Sequence, residues 1–153
     1  MSSRPTRLVV LALAVAVLPA CATLKTPTLA VEGLKVGKVG ITGVTMNVGF
    51  KVRNPNPEPL LIERFEYELF LNGNTLGRGY QADAINVDGF REERVTSRFD
   101  LNFLRVPGAV KDLIDQDRVR ARAKGTFFVR ESDGGLRKLK FDEDTEVDIQ
   151  KAR

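Results

Sequence analysis

The chain has 153 residues, 42% of them hydrophobic, a formal charge of +4, one cysteine, no tryptophan and no histidine. That length supports one compact domain with its own core and not two. The absence of histidine removes the commonest general base and metal ligand, so most hydrolytic triads and zinc sites are excluded.

The first twenty residues are a targeting segment rather than part of the fold. Arg4 and Arg7 precede an unbroken apolar run over residues 8–18, the layout of an export signal. As a helix, eleven residues span about 16 Å, roughly half of a ~30 Å hydrocarbon core, so the run is too short to cross a membrane. Leu18-Pro19-Ala20-Cys21 resembles the bacterial lipobox, which implies cleavage before Cys21 and covalent lipid on its thiol. The alternative is an ordinary secretory signal with an incidental cysteine. Lipidation would consume the only thiol, leaving no disulfide or redox chemistry, and several acyl chains at ~0.8 kcal/mol per buried methylene would anchor the chain stably. Ala22 follows the cysteine where aspartate would stand in a retained lipoprotein. The resemblance therefore implies the outer membrane, with the domain facing the periplasm.

Loss of Arg4 and Arg7 leaves 22 basic against 20 acidic residues, +2 instead of +4. Neither that charge nor an envelope address implies nucleic acid. Residues 21–27 read as the lipidated cysteine and a short tether, and 28–150 as the folded domain.

Within the domain, period-two alternation dominates. A glycine-broken strand is expected around 29–41. Val44, Met46, Val48, Phe50 and Val52 then share one strand face, and Phe65, Tyr67, Leu69 and Leu71 the next. Asn72-Gly73-Asn74 supplies hairpin-turn chemistry before a strand at 75–80. Further strands carry Val95, Ser97, Phe99, Leu101 and Phe103, then Val119, Ala121, Ala123, Gly125, Phe127 and Val129. Ser132-Asp133-Gly134-Gly135 turns the chain into a last strand at 136–141, continued by Thr145, Val147 and Ile149. Residues 106–115 alone have helical spacing, with Pro107 in the first turn. About seven antiparallel strands and one short helix predict an all-β sandwich of immunoglobulin or fibronectin III type.

Pro55, Pro57 and Pro59 interrupt this pattern. Each lacks a backbone donor and fixes φ, so none fits inside a ladder and the strand must end at Arg53. Asn54 and Asn56, pushed towards extended geometry by the prolines after them, can bond backbone that the sheet no longer satisfies. The stretch reads as a stiff corner. The strand before Asn54-Pro55-Asn56, the Tyr-x-Leu-x-Leu-Asn-Gly strand at 67–73 and the Gly77-x-Gly79 close together resemble the group 2 late-embryogenesis-abundant proteins and their water-stress-and-hypersensitive-response domain. The likeness runs over about 29–149. It implies a folded, non-enzymatic protein of envelope stress or desiccation tolerance, with no catalytic residues to carry over.

The remaining motifs point the same way. Serine and threonine have no histidine partner, and the glycines of 37–43 end in no Gly-Lys-Ser/Thr phosphate loop. Asp142, Glu143, Asp144, Glu146 and Asp148 lack the spacing of a calcium loop and read as a solvated strand face. Arg118, Arg120, Arg122 and Lys124 line one outward face and Glu66 and Glu68 another, which predicts facing cross-strand ion pairs. The other reading of that basic row is a face for an anion, envelope lipid or partner. No cofactor is expected apart from lipid on Cys21. The expected role is a membrane-anchored protein that shields membrane or client proteins during water loss. The alternative is a binding module for an apolar ligand, envelope lipid or protein partner, with its groove beside Val106, Val110 and Ile114.

Overall fold

The computed structural model describes residues 23–102, 111 and 115–150. Eight strands follow the chain: β1 Thr28–Val39, β2 Gly43–Arg53, β3 Leu60–Leu71, β4 Asn74–Gln81, β5 Ile85–Val87, β6 Glu92–Asn102, β7 Arg118–Arg130 and β8 Leu136–Gln150. Their pairing order is β4-β3-β7-β8-β1-β2-β6, with the short β5 beside the start of β3. The result is one sheet folded over on itself into a nearly closed barrel. The helix expected at 106–115 lies outside the described residues, apart from Lys111 and Asp115, as do Val106, Val110 and Ile114.

Two features differ from an immunoglobulin-type antiparallel sandwich of seven strands. β5, only three residues long, is too short for alternation to reveal. β8 is fifteen residues long, about 50 Å at a strand's rise. Its first part pairs antiparallel with β7, and at its end Ile149 and Gln150 pair parallel with Leu34 and Lys35 of β1. A strand of that length joins the two halves that a sandwich would keep separate.

The edges β4 and β6 meet through side chains. The Ser97 hydroxyl of β6 donates to the Tyr80 carbonyl of β4 (3.3 Å), and the Phe99 ring lies over Gly77, whose φ of 145° suits glycine. Tyr67 donates from inside the barrel to Ser97 (2.9 Å), and burial pushes the phenol's pKa up.

The alternating residues of β2 and β3 are buried, and Phe50, Phe65, Tyr67, Phe127 and Phe141 form one aromatic cluster with centroid separations of 4.6–6.4 Å. The cluster closes because one register row reads Gly79, Tyr67, Gly125, Phe141 across β4, β3, β7 and β8. A Cβ on Gly79 would lie 2.4 Å from the Tyr67 ring. One on Gly125 would lie 2.0 Å from the Glu66 carbonyl oxygen and 2.7 Å from the Phe141 ring. Alternating large and absent side chains lets the rings lie along the sheet at native packing density. We expect Gly125→Ala, which must displace backbone, to cost about 3 kcal/mol or more in urea denaturation. An unchanged midpoint would refute this account of the core.

Candidate functional site

The proline corner is built around two buried amides. β2 ends at Arg53 and β3 begins at Leu60, so the segment between them has no ladder and must find its partners elsewhere. Asn54 is completely buried. Its side-chain nitrogen donates to the carbonyls of Glu58 (2.7 Å), Val87 (3.0 Å) and Asp88 (3.3 Å), while its backbone N–H donates to Arg91 O (3.0 Å). Its Oδ1 accepts from the backbone N–H of Asn56 (2.9 Å) and from Asn56 Nδ2 (3.0 Å). Asn56 Nδ2 also donates to Lys25 O, and Asn56 Oδ1 accepts from Lys25 N, both at 2.8 Å. Finally, Phe90 N–H donates to Asn56 O (3.0 Å).

Three segments far apart in sequence, around Lys25, 54–58 and 87–91, are thus tied at one end of the barrel. Among neutral side chains the amide offers two N–H donors and a carbonyl acceptor together, which is the chemistry this junction needs. The chain is docked upstream of β1 as well: Leu24 packs against the core and Pro27 is buried. Nothing in local sequence marks 87–91 or Lys25 as partners of the corner.

The basic row of β7 lies away from this corner, towards the opposite end. β3 is one neighbour of β7, with Glu68 opposite Lys124 and Glu66 opposite Thr126. The close ion pairs of the arginines, however, are made on the other side, with β8. Arg118 meets Asp148 (3.0 Å), Arg120 meets Asp144 (2.8 Å), and Arg122 holds Asp142 with two bonds of 2.6 Å. Glu66 pairs instead with Arg64 of its own strand (3.5 Å). Asp142, Asp144, Glu146 and Asp148 therefore form an exposed strand face and a counter-row to the arginines, while Glu143, grouped with them in sequence, is half-buried on the other face of β8. Among the described residues, no group of three or more potential metal ligands converges.

Hydrogen bonds to their carboxylates raise the pKa of the Arg118, Arg120 and Arg122 guanidiniums. The hydrogen bond from Arg122, with the charges of Arg122 and Lys124, holds Asp142 below its ordinary value of 3.8 against a smaller opposing effect of burial. Beside these pairs, a shallow groove of about 750 Å³ runs over the glycine row, rimmed by Glu66, Glu68, Arg78, Tyr80, Lys124 and Lys140. Cys21 lies outside the described residues.

Two outcomes follow. Asn54→Asp, which turns a three-way donor into an anion facing carbonyls, is expected to cost about 3 kcal/mol or more by chemical denaturation. Glu58→Ala, which keeps the carbonyl that Asn54 uses, should stay within ~0.5 kcal/mol. For the charged rows, a carboxyl with a lowered folded pKa contributes stability that is present above its unfolded value and lost as pH falls through the folded one. Stability should therefore decline below about pH 4, less steeply in Asp142→Asn and less steeply in high salt.

Comparison with known proteins places these features. The profile described as "Late embryogenesis abundant protein" matches residues 49–144, from the middle of β2 into β8. Among curated protein sequences none matches. The solution structure of a protein from Arabidopsis thaliana aligns over 90% of this chain and 91% of its own at 12% identity, with a TM-score of 0.63. A solution structure of a proposed late embryogenesis abundant protein gives 15% identity, 82% and 72% coverage and a TM-score of 0.49. A crystal structure from Archaeoglobus fulgidus gives 18%, 82% and 97%, and 0.45. The first likeness is one of fold. The profile match takes in well over half of the chain, including the Asn54–Asn56 corner and the glycine row, and by it this protein belongs to the late embryogenesis abundant family.

Proposed function

We propose that this chain is a non-enzymatic, lipid-anchored protein of the cell envelope, of the water-stress-and-hypersensitive-response type within its family. Its folded domain would shield membranes or client proteins during water loss. The family match carries this reading. The address rests on sequence: the charged start, the short apolar run and the lipobox-like Leu18-Pro19-Ala20-Cys21, with Ala22 after it favouring the outer membrane.

The architecture is consistent with a protective role. The barrel interior is filled by aromatic and aliphatic side chains, and the groove over the glycine row is a shallow outer depression. Its rim alternates in sign, with Arg78, Glu68, Lys124 and Asp142 in one register row across four strands, a hydrated surface suited to weak contacts with many partners. The same groove is the observation that favours the second reading, a binding module for an envelope partner.

Two measurements test the proposal. Mass spectrometry of the membrane fraction should find an acylated N-terminal cysteine, and Cys21→Ser should release the protein into the soluble fraction. A drying-sensitive enzyme taken through desiccation with the Cys21→Ser protein should retain clearly more activity than with an inert protein at equal mass. Protection no better than that control would overturn the stress role and leave the binding module.

A further inference from the structure

The end of the barrel that carries the asparagine corner also gathers exposed apolar side chains. The start of β1, the end of β2, the starts of β3 and β6, the end of β7 and the start of β8 all meet there, through the pairs Thr28–Arg53, Arg53–Glu92, Leu61–Arg130 and Arg130–Leu136. Of the five large hydrophobic residues most exposed among those described, Leu61, Phe90 and Leu136 lie at this end. Leu61 and Leu136 flank Arg130 in one register row. Behind them Phe128 is sandwiched under the guanidinium of Arg64 (3.8 Å) and the ammonium of Lys138 (5.6 Å), so basic side chains frame apolar surface.

Phe90 is the least ordinary of the three. It is 64% exposed and has φ of +57°, a conformation that costs a bulky residue energy and normally falls to glycine or asparagine. Its backbone is fixed there by the bond to Asn56 O and by Arg91 N–H to Asp88 O (3.1 Å). An aromatic ring held in that strained conformation and pointed into water adds nothing to the core.

The position of the N-terminal segment says what covers this end. Leu24 packs on the core and Lys25 is bonded twice to Asn56. Three residues separate Lys25 from Cys21, and the four Cα–Cα steps between them limit the distance to about 14 Å. The eleven residues of β2 span about 36 Å from this end to the other. The attachment point of a lipid on Cys21 is therefore held near the corner end and away from the far one, where Ile41 is fully exposed.

On the reading that Cys21 is lipidated, we propose that the corner end is a membrane-docking face, with Phe90, Leu61 and Leu136 seated in the headgroup region of the bilayer that holds the anchor. Aromatic and aliphatic side chains framed by basic ones suit that interface. The basic residues of this end, among them Lys25, Arg53, Arg64, Arg130, Arg137 and Lys138, are nearly matched by Glu58, Glu63, Asp88, Glu92, Glu131 and Asp133, so the contact is apolar rather than a preference for anionic lipid.

The chain has no tryptophan, so single reporters can be introduced into the full acylated protein and reconstituted in vesicles of phosphatidylcholine with brominated acyl chains. In Phe90→Trp and Leu136→Trp, emission should shift to the blue and be quenched about twofold, and the same in vesicles containing phosphatidylglycerol, while Ile41→Trp stays near its value in water. In Phe90→Gly, which relieves the φ strain, the fold should be at least as stable while a Leu136→Trp reporter in that background loses part of its quenching. Acylated protein whose Phe90→Trp and Ile41→Trp reporters behave alike would overturn the docking face and leave the anchor standing. A cysteine found unacylated in the membrane fraction would overturn both.

Discussion

The Asn54 and Asn56 amides are the constraint on which the rest of this domain depends. Three prolines remove donors where the chain must pass from one half of the sheet to the other, and that leaves carbonyls at a strand junction with no ladder N–H to donate to them. The two asparagines satisfy them from within, and in doing so fix the entry of β1, the exit of β2 and the loop before β6 relative to one another. Each neutral bond contributes only ~1 kcal/mol net, but losing one leaves buried polar groups unpaired. The junction is therefore all-or-none in character. No buried side-chain polar atom among the described residues lacks a partner, which places the corner within a fully satisfied interior.

Strands with one buried face were legible because alternation is a direct trace of burial: Val44 to Val52, Phe65 to Leu71 and Ser97 to Leu101 all face inward as their spacing demanded. The corner was legible for a different reason, since proline excludes ladder positions outright. What alternation cannot carry is the identity or direction of a neighbour. The pattern through Val147 and Ile149 gave no hint that this strand's end would run parallel to β1, and three residues at Ile85–Val87 are too few to show any period. The register row of Gly79, Tyr67, Gly125 and Phe141 was equally hidden, because its members come from four strands and acquire meaning only side by side.

The charged rows show the same limit from the electrostatic side. The basic face of β7 is flanked by acids on both neighbours, and signs alone are equally content with Glu66 and Glu68 on β3 or with the row from Asp142 to Asp148 on β8. Reach and geometry decide. The β8 aspartates lie directly or diagonally across from the arginines and accept their Nε–H bonds, Asp142 taking a paired one from Arg122, whereas Glu66 sits opposite Thr126. Exposed pairs of this kind contribute little each, so their effect is to penalise a slipped register. They also leave the arginines partly neutralised, which lessens their use as a stripe for a free anion.

The place of β8 has a mechanical consequence. β1 enters at the corner end, and the last residues of β8 run parallel to it towards the far end, so the two ends of the folded chain lie at opposite poles. Tension applied between those poles acts along β1, which is held by β2 on one side and by the end of β8 on the other. Such loading shears the ladders, so their bonds must yield together rather than unzip one at a time.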